Sequence, residues 1–147
     1  MARYRMRIRT DWPATESFAY LGDLSNFDDW DPGVASSVQV VGDGPGVGAE
    51  YDVDASGSVL HYVVDLHDPP HRIRARARNR WLTSIDTISV AADGGGSVVT
   101  YDADLQLHGI LRLGDPILAL AFRRIGDRAA DGLLERLAHG VYKTTAS

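Results

Sequence analysis

The segment DPILALAFRRIGDRAADGLLERLAH, Asp115–His139, sets the architecture of this chain, because no other part is long and regular enough for a multi-turn helix. Its apolar residues recur every three or four positions, at Leu118, Phe122, Ile125, Ala129, Leu133 and Leu137. Asp115 and Pro116 suit its first turn, and Gly140 suits its end. At about 1.5 Å per residue such a helix runs roughly 36 Å. Its apolar stripe therefore needs an extended surface to pack against.

The rest of the chain supplies that surface as consecutive β-strands. From Val34 onward apolar and polar residues alternate, and no helical pattern intervenes before Asp115. Strands that follow one another without crossover helices pair antiparallel. The alternation predicts strands at Arg3–Thr10, Ser37–Val41, Ala49–Ala55, Val59–Leu66, Ile73–Trp81, Ser84–Ala91 and Ser97–Leu107.

Two short helices are predicted between the first two strands. One spans Pro13–Leu21, and the other spans Ser25–Trp30 with Ser25 as its N-cap and Asp28 completing a capping box. We therefore expect one α+β domain over residues 1–147. It has a curved seven-stranded antiparallel sheet, two short helices and one long C-terminal helix.

Composition limits the possible functions. The chain has no cysteine, which excludes disulfides and thiolate chemistry. Fifteen basic and 20 acidic residues give a net charge of −5, which weighs against nucleic acid as the main partner. No apolar run approaches the roughly 20 residues of a membrane span, and the N-terminus lacks a signal-peptide pattern. We expect a cytoplasmic protein with a small-molecule partner, and the oligomeric state stays open.

The sequence shows no motif for a cofactor or a metal ion. Gly42–Gly48 is rich in glycine, but no Lys-Ser or Lys-Thr follows it and no long helix begins after it, so a hairpin loop is predicted. His61, Asp65 and His67 share one strand parity. We interpret that side of the strand as outward, because the residues on the other side are more apolar: Leu60, Tyr62, Val64 and Leu66. We expect these histidines at the surface and no metal site.

The fifth strand separates an arginine face from an inner face. Every second residue from Arg72 to Arg80 is an arginine, and acidic residues on the last strand are placed to pair with them, so we interpret this face as solvated. On the inner face, Ala75, Ala77 and Ala103 are too small to fill the roughly 10 Å between a sheet and a packed layer. A cavity is predicted there.

Five stretches carry a resemblance to a known family: FAYLGDLSNFDDWDPGV (residues 18–34), VGDGPGVGAEYDV (41–53), VVDLHDPPHRI (63–73), GGSVVTYDADLQLHG (95–109) and RAADGLLERL (128–137). In this order they resemble the START-like (SRPBCC) helix-grip fold of the polyketide cyclase/dehydrase and lipid transport superfamily. The loop at residues 42–48 also looks like that of plant pathogenesis and pollen-allergen proteins, which bind hydrophobic ligands. Members range from lipid carriers to aromatase/cyclases, so the resemblance implies a fold and not one reaction.

Asp86 is the residue with the clearest potential for chemistry. If Ile88 faces the core, Asp86 does too, and it then lies close to Asn79, Trp81 and Tyr101. A buried carboxylate has a raised pKa and can act as an acid or a base. A strand register shifted by one residue would instead send Asp86 outward towards the arginines.

Two functions are implied by the resemblance, taken together with this pattern. One is the binding of a hydrophobic or aromatic small molecule, lipid- or polyketide-like, without chemistry. The other is a polyketide cyclase or aromatase type of enzyme, with Asp86 as the catalytic acid/base and Tyr101 and Asn79 orienting a carbonyl. No second inward carboxylate is identified, which favours binding. The residues expected to bind the ligand are Tyr51, Tyr62, Ala75, Ala77, Asn79, Trp81, Tyr101, Ala103, Leu118 and Phe122.

Overall fold

The computed structural model describes residues 2–55, 57–108, 124 and 127–137. In this part of the chain seven strands form one antiparallel sheet in the order β1-β7-β6-β5-β4-β3-β2. The strands are β1 Ala2–Thr10, β2 Val34–Val41, β3 Glu50–Ala55, β4 Ser58–Asp68, β5 Arg72–Arg78, β6 Leu82–Asp93 and β7 Gly96–Leu107. The predicted α+β class and the curved antiparallel sheet are confirmed.

Short helices connect β1 to β2, as predicted, but their detailed form differs. They are α1 Ala14–Leu21, a 3-10 turn Leu24–Asn26 and α2 Phe27–Trp30. The predicted cap at Ser25 is wrong, because the Asp23 carboxylate accepts the Ser25 amide at 3.0 Å and begins the helical turn earlier. The predicted capping box with Asp28 does not form either, since α2 starts after Asn26 without a side-chain cap.

The C-terminal helix, α3, is described over residues 127–137. Ala129, Leu133 and Leu137 are buried on it, which confirms this part of the predicted apolar stripe. The earlier positions of that stripe, and the predicted N-terminus of the helix, lie outside the described residues: Asp115, Leu118, Phe122 and Ile125. No helix in the described part of the chain is long and apolar enough to cross a membrane.

Three contacts fix α3 against the inner side of the sheet and against α2. The Tyr4 hydroxyl, on the inner face of β1, donates to Asp127 at 3.1 Å. Arg136 pairs with Asp29 of α2 at 2.9 Å. Gly132 approaches the backbone carbonyl of Trp30 so closely that a Cβ at this position would collide with it. The helix thus packs on the side opposite the arginine face, as predicted.

The arginine face is partly neutralised by carboxylates on neighbouring strands. Arg3 on β1 pairs with Asp102 on β7 at 2.7 Å, and Arg74 on β5 pairs with Asp65 on β4 at 2.8 Å. His61 lies on the same face and contacts both Glu50 at 2.6 Å and Asp52 at 2.7 Å. The outer face is therefore charged and solvated, in line with the sequence. The predicted pairing of the last strand with the arginines of β5 is wrong, because β6 lies between the two strands and Asp102 pairs with β1 instead.

A bulge in β4 reverses the predicted orientation of His67. Val64 pairs with Ala75 and Leu66 pairs with Arg74, but His67 pairs with the buried Ile73. The extra residue shifts the alternation by one, so the part of β4 beyond it exchanges faces. The prediction that His67 points outward is wrong. Its ring packs edge-on against Phe18 of α1, with centroids 5.3 Å apart.

Strand β5 ends three residues before the predicted end at Trp81. The Asn79 side-chain oxygen accepts the backbone amides of Trp81 at 2.8 Å and Leu82 at 3.0 Å, and these bonds form a turn. Because the strand stops at Arg78, its alternation does not extend to Trp81, which is 48% exposed. The guanidinium of Arg80 lies 4.5 Å from the centre of the Trp81 ring.

Candidate functional site

The register of the sheet places Asp86 on the inner face. It pairs with Ala75 of β5 on one side and with Ala103 of β7 on the other, and both alanines are buried. Asp86 itself is only 8% exposed. Of the two registers that the sequence leaves open for Asp86, the structure therefore adopts the inward one.

Three hydroxyl groups donate to the Asp86 carboxylate. The hydroxyls of Tyr62 and Tyr101 both donate to Oδ2, each at 2.9 Å, and Ser84 donates to Oδ1 at 2.6 Å. We call these four residues the Asp86 cluster. A buried anion with three donors is well solvated by the protein, so the cluster is an organised polar group within an apolar face.

The small residues of β5 explain how Tyr62 reaches Asp86. Tyr62 lies on β4 and Asp86 on β6, so the two backbones are roughly 10 Å apart, with β5 between them. The phenol ring must therefore cross over β5. Its neighbours there are Ala77, its direct Cα partner, and Ala75, the partner of Asp86. These alanines accommodate the Tyr62 ring, which uses part of the space that the sequence left open for a cavity.

Burial and hydrogen bonding act in opposite directions on Asp86. Removal from water raises the pKa of its carboxyl group above the ordinary value, and the three hydroxyl donors offset this only in part. Burial raises the pKa of Tyr62 and of Tyr101 well above the ordinary value, and the charge of Asp86 is the second largest cause. Both phenols therefore stay protonated and act as donors to the carboxylate.

Asp31 is a second buried carboxylate near the cluster, which the sequence did not reveal. It directly follows α2, is 7% exposed, and accepts the Gly33 amide at 2.8 Å. Burial raises the pKa of Asp31, and the charge of Asp86 raises it further. The conclusion that Asp86 is the one inward carboxylate is therefore wrong. The available signal was an aspartate before a Pro-Gly turn, where its side chain folds back onto the backbone.

Aromatic rings from α2 cover the two tyrosines of the cluster. Phe27 meets the edge of Tyr62, and Trp30 meets the edge of Tyr101, each with centroids 5.9 Å apart. Phe27 and Trp30 stack on each other at 5.0 Å. The polar cluster is therefore bordered by an aromatic wall that is continuous from β4 to β7.

The other predicted ligand-binding residues divide into three groups. Tyr51 is fully buried beside Tyr62, and its hydroxyl finds no hydrogen-bond partner among the described residues. Asn79 and Trp81 are in the turn after β5, so the structure does not bring them to the cluster. Leu118 and Phe122 lie outside the described residues.

Two surface depressions lie near these elements. A cleft of about 680 Å³ between α2 and α3 is lined by Trp30 and Asp31, together with charged residues of α3 such as Arg128. A second groove of about 380 Å³ lies between α1 and the β4–β5 turn, beside Phe18 and His67. Trp30, which belongs to the aromatic wall, and the next residue, Asp31, thus also line an open cleft. The described residues contain no group of three or more metal-ligating side chains.

Comparison with known proteins identifies the class. The family model for polyketide cyclase/dehydrase and lipid transport proteins matches residues 1–138, so the chain belongs to this family. The resemblance inferred from the sequence is therefore confirmed, and a START-like hydrophobic ligand-binding protein is the kind of protein that the family and the fold indicate. The sequence matches no curated protein at a significant level.

Solved structures share the fold at low sequence identity. A START superfamily protein from Mycobacterium smegmatis is similar with a TM-score of 0.73 and 13% identity, covering 93% of this chain and 97% of that one. XoxI from Bacillus cereus has a TM-score of 0.74 and 15% identity, covering 93% and 96% of the two chains. A protein from Thermobifida fusca has a TM-score of 0.70 and 21% identity, covering 93% of both.

Proposed function

We propose that this protein binds a hydrophobic or aromatic small molecule, lipid- or polyketide-like, in a cavity between the inner face of the sheet and the C-terminal helix. The observation that carries the proposal is the Asp86 cluster, a buried polar group at the centre of an otherwise apolar face. Ligand sites of this kind are mostly apolar, with a few polar groups that fix the orientation of the ligand.

Energetics favour a role in binding over a purely structural role for the cluster. A buried carboxylate loses its hydration, and its hydrogen bonds rarely make it more stabilising than apolar residues of the same volume. The surrounding inner face is apolar, with Val64, Ile73 and Val99 all buried. Burying the Asp86 carboxylate in this face therefore stabilises the fold little, whereas it gives a ligand polar groups to contact.

The second candidate is a cyclase or aromatase type of enzyme, and the burial of Asp31 supports it. Two buried carboxylates, both with raised pKa values, would supply the pair of acid/base groups that such chemistry requires. In this alternative Asp86 acts as the acid/base and Tyr101 orients the substrate. A carrier would return its ligand unchanged, whereas a cyclodehydratase would release it with the loss of one water.

Native mass spectrometry of the freshly purified protein tests the binding proposal directly. We expect a co-purified small molecule, and we expect saturable binding of the neutral apolar dye Nile red to the ligand-free protein. Replacing the inward Ala103 by Leu should fill space beside Asp86 and weaken dye binding. Ala91→Leu is the matched control, because Ala91 is exposed on β6.

The outcomes separate the possibilities. Loss of dye binding in Ala103→Leu, with binding retained in Ala91→Leu, supports a cavity on the inner face. If the wild-type protein carries no ligand and does not bind Nile red saturably, the proposed function is wrong. Circular dichroism of each variant shows whether a loss of binding reflects a loss of fold.

A further inference from the structure

We propose that the ligand presents a hydrogen-bond donor, a hydroxyl or an amine, to the phenol oxygens of Tyr62 and Tyr101, and that the site excludes carboxylate ligands. This inference rests on the proposed function and specifies the chemical class of the ligand. It differs from the expectation, drawn from the sequence, that Tyr101 orients a carbonyl.

The direction of the hydrogen bonds carries the argument. Each of the three hydroxyls around Asp86 donates its single hydrogen to the carboxylate. A phenol has one hydrogen to donate, but its oxygen can also accept. Once Tyr62 and Tyr101 have donated to Asp86, they offer a ligand only acceptor lone pairs. A ligand carbonyl would meet two oxygens without an available hydrogen, whereas a hydroxyl or an amine would be matched.

The charges around the site act in the same direction. Asp31 and Asp86 are both more than nine-tenths buried, and the charge of Asp86 raises the pKa of Asp31. Among the described residues, neither carboxylate forms an ion pair with Arg, Lys or His. A ligand carboxylate placed beside them would add a further buried negative charge at short range, which is unfavourable in a low-dielectric interior.

The aromatic wall defines the body of the ligand. The rings of Phe27 and Trp30 pack against the rings of Tyr62 and Tyr101, so the surroundings of the two phenols are aromatic and apolar. Flat apolar molecules pack well against such rings, and an ammonium group is also attracted to their faces. An aromatic or polycyclic molecule with a phenol, alcohol or amine at one end therefore fits both parts of the site.

Three naphthalene compounds, substituted at the same ring position, test the inference: naphthol, its methyl ether, and naphthoate. Their affinities follow from displacement of Nile red. We expect naphthol to bind about tenfold more tightly than the ether, which lacks the donor. Naphthoate should be the weakest of the three, because it carries the excluded charge.

Asp86→Asn should change this order of affinities. The side-chain amide can donate to a phenol oxygen, which frees a phenol hydrogen for the ligand, and the buried charge disappears. We expect the ratio of the affinity for naphthol to the affinity for the ether to fall towards one, and the affinity for naphthoate to rise. Asp54→Asn is the matched control, since Asp54 is on the outer face of β3, and it should keep the wild-type order.

The result that overturns the inference is distinct from the result that overturns the proposed function. If the ether or naphthoate binds wild-type protein as tightly as naphthol, the donor requirement is wrong while the cavity stands. Equal effects of Asp86→Asn and Asp54→Asn on the order of affinities would likewise contradict it. If neither Nile red nor any of the three compounds binds saturably, the proposed function itself fails.

Discussion

The hydroxyl of Tyr62 donates to Asp86 at 2.9 Å across an intervening strand, passing over β5 where alanines leave room for its ring. This bond joins β4 to the centre of the inner face and fixes the position of one of the two phenol oxygens proposed to meet the ligand. The same bond stabilises the ionised form of the Asp86 carboxyl group, because the phenol donates to it. Removing it should therefore affect both stability and protonation.

Tyr62→Phe should lower the free energy of unfolding by about 1.5–3 kcal/mol, the typical contribution of a hydrogen bond to a charged group. It should also raise the pKa of Asp86 further, because one of the three donors that favour the anion is lost. Urea denaturation and carbon NMR of the labelled Asp86 carboxyl group measure the two effects.

Tyr51→Phe is the matched control for this change. Its buried hydroxyl has no partner among the described residues, so its removal should cost no stability. Equal losses of stability in the two variants would contradict the role assigned to the Tyr62–Asp86 bond.

Asp86→Asn should be increasingly stable relative to wild type as pH rises from about 4. The folded-state pKa of Asp86 is raised, so between the unfolded and folded pKa values the native state binds more protons than the unfolded state. Wild-type stability therefore falls as pH rises through this window, and the asparagine variant lacks that loss. Denaturation curves at a series of pH values measure the difference, and a difference that does not change with pH would contradict the raised pKa.

His61 should contribute stability at acidic pH and lose that contribution as pH rises. Its hydrogen bonds to Asp52 and Glu50 raise its pKa above the ordinary value of about 6.5. The folded state thus favours the charged ring, and the stabilisation is complete below the unfolded pKa and lost as pH rises through the folded pKa. Thermal unfolding of wild type and His61→Gln should differ most at low pH. A difference in melting temperature between the two proteins that grows with rising pH would exclude this explanation.

Gly132→Ala should destabilise the protein although the same change usually stabilises a helix by up to about 1 kcal/mol. The added methyl group would collide with the Trp30 carbonyl, so α3 and α2 would have to separate. Asp131→Ala, at the neighbouring exposed position of α3, is the control and should be nearly neutral. A higher melting temperature for Gly132→Ala would show that α3 does not dock against α2 in this way.

Much of the architecture follows from local patterns. The alternation in β6 predicts that Asp86 shares a face with Ile88, and the structure shows that this face is the inner one. The helical spacing of Ala129, Leu133 and Leu137 likewise predicts their burial. In both cases the side chain's environment depends on the period of its own element, which a single sequence reveals.

The remaining features depend on contacts that no local pattern specifies. The β4 bulge, which turns His67 inward, adds one residue without a sequence signal. Asn79 ends β5 through its own side-chain bonds, and Asp31 is buried where its carboxylate accepts the Gly33 amide in the turn after α2. The convergence of Tyr62 and Tyr101 on one carboxylate requires knowledge of the strand order and register.

A carbon NMR titration with naphthol, observing the Asp86 carboxyl group, tests the central claim most directly. We expect the Asp86 signal to shift saturably, with the same affinity as in dye displacement, while the carboxyl signal of Asp54 on the outer face stays unchanged. Saturable binding of naphthol that leaves Asp86 unshifted would contradict it, because the ligand would then occupy a site away from the Asp86 cluster.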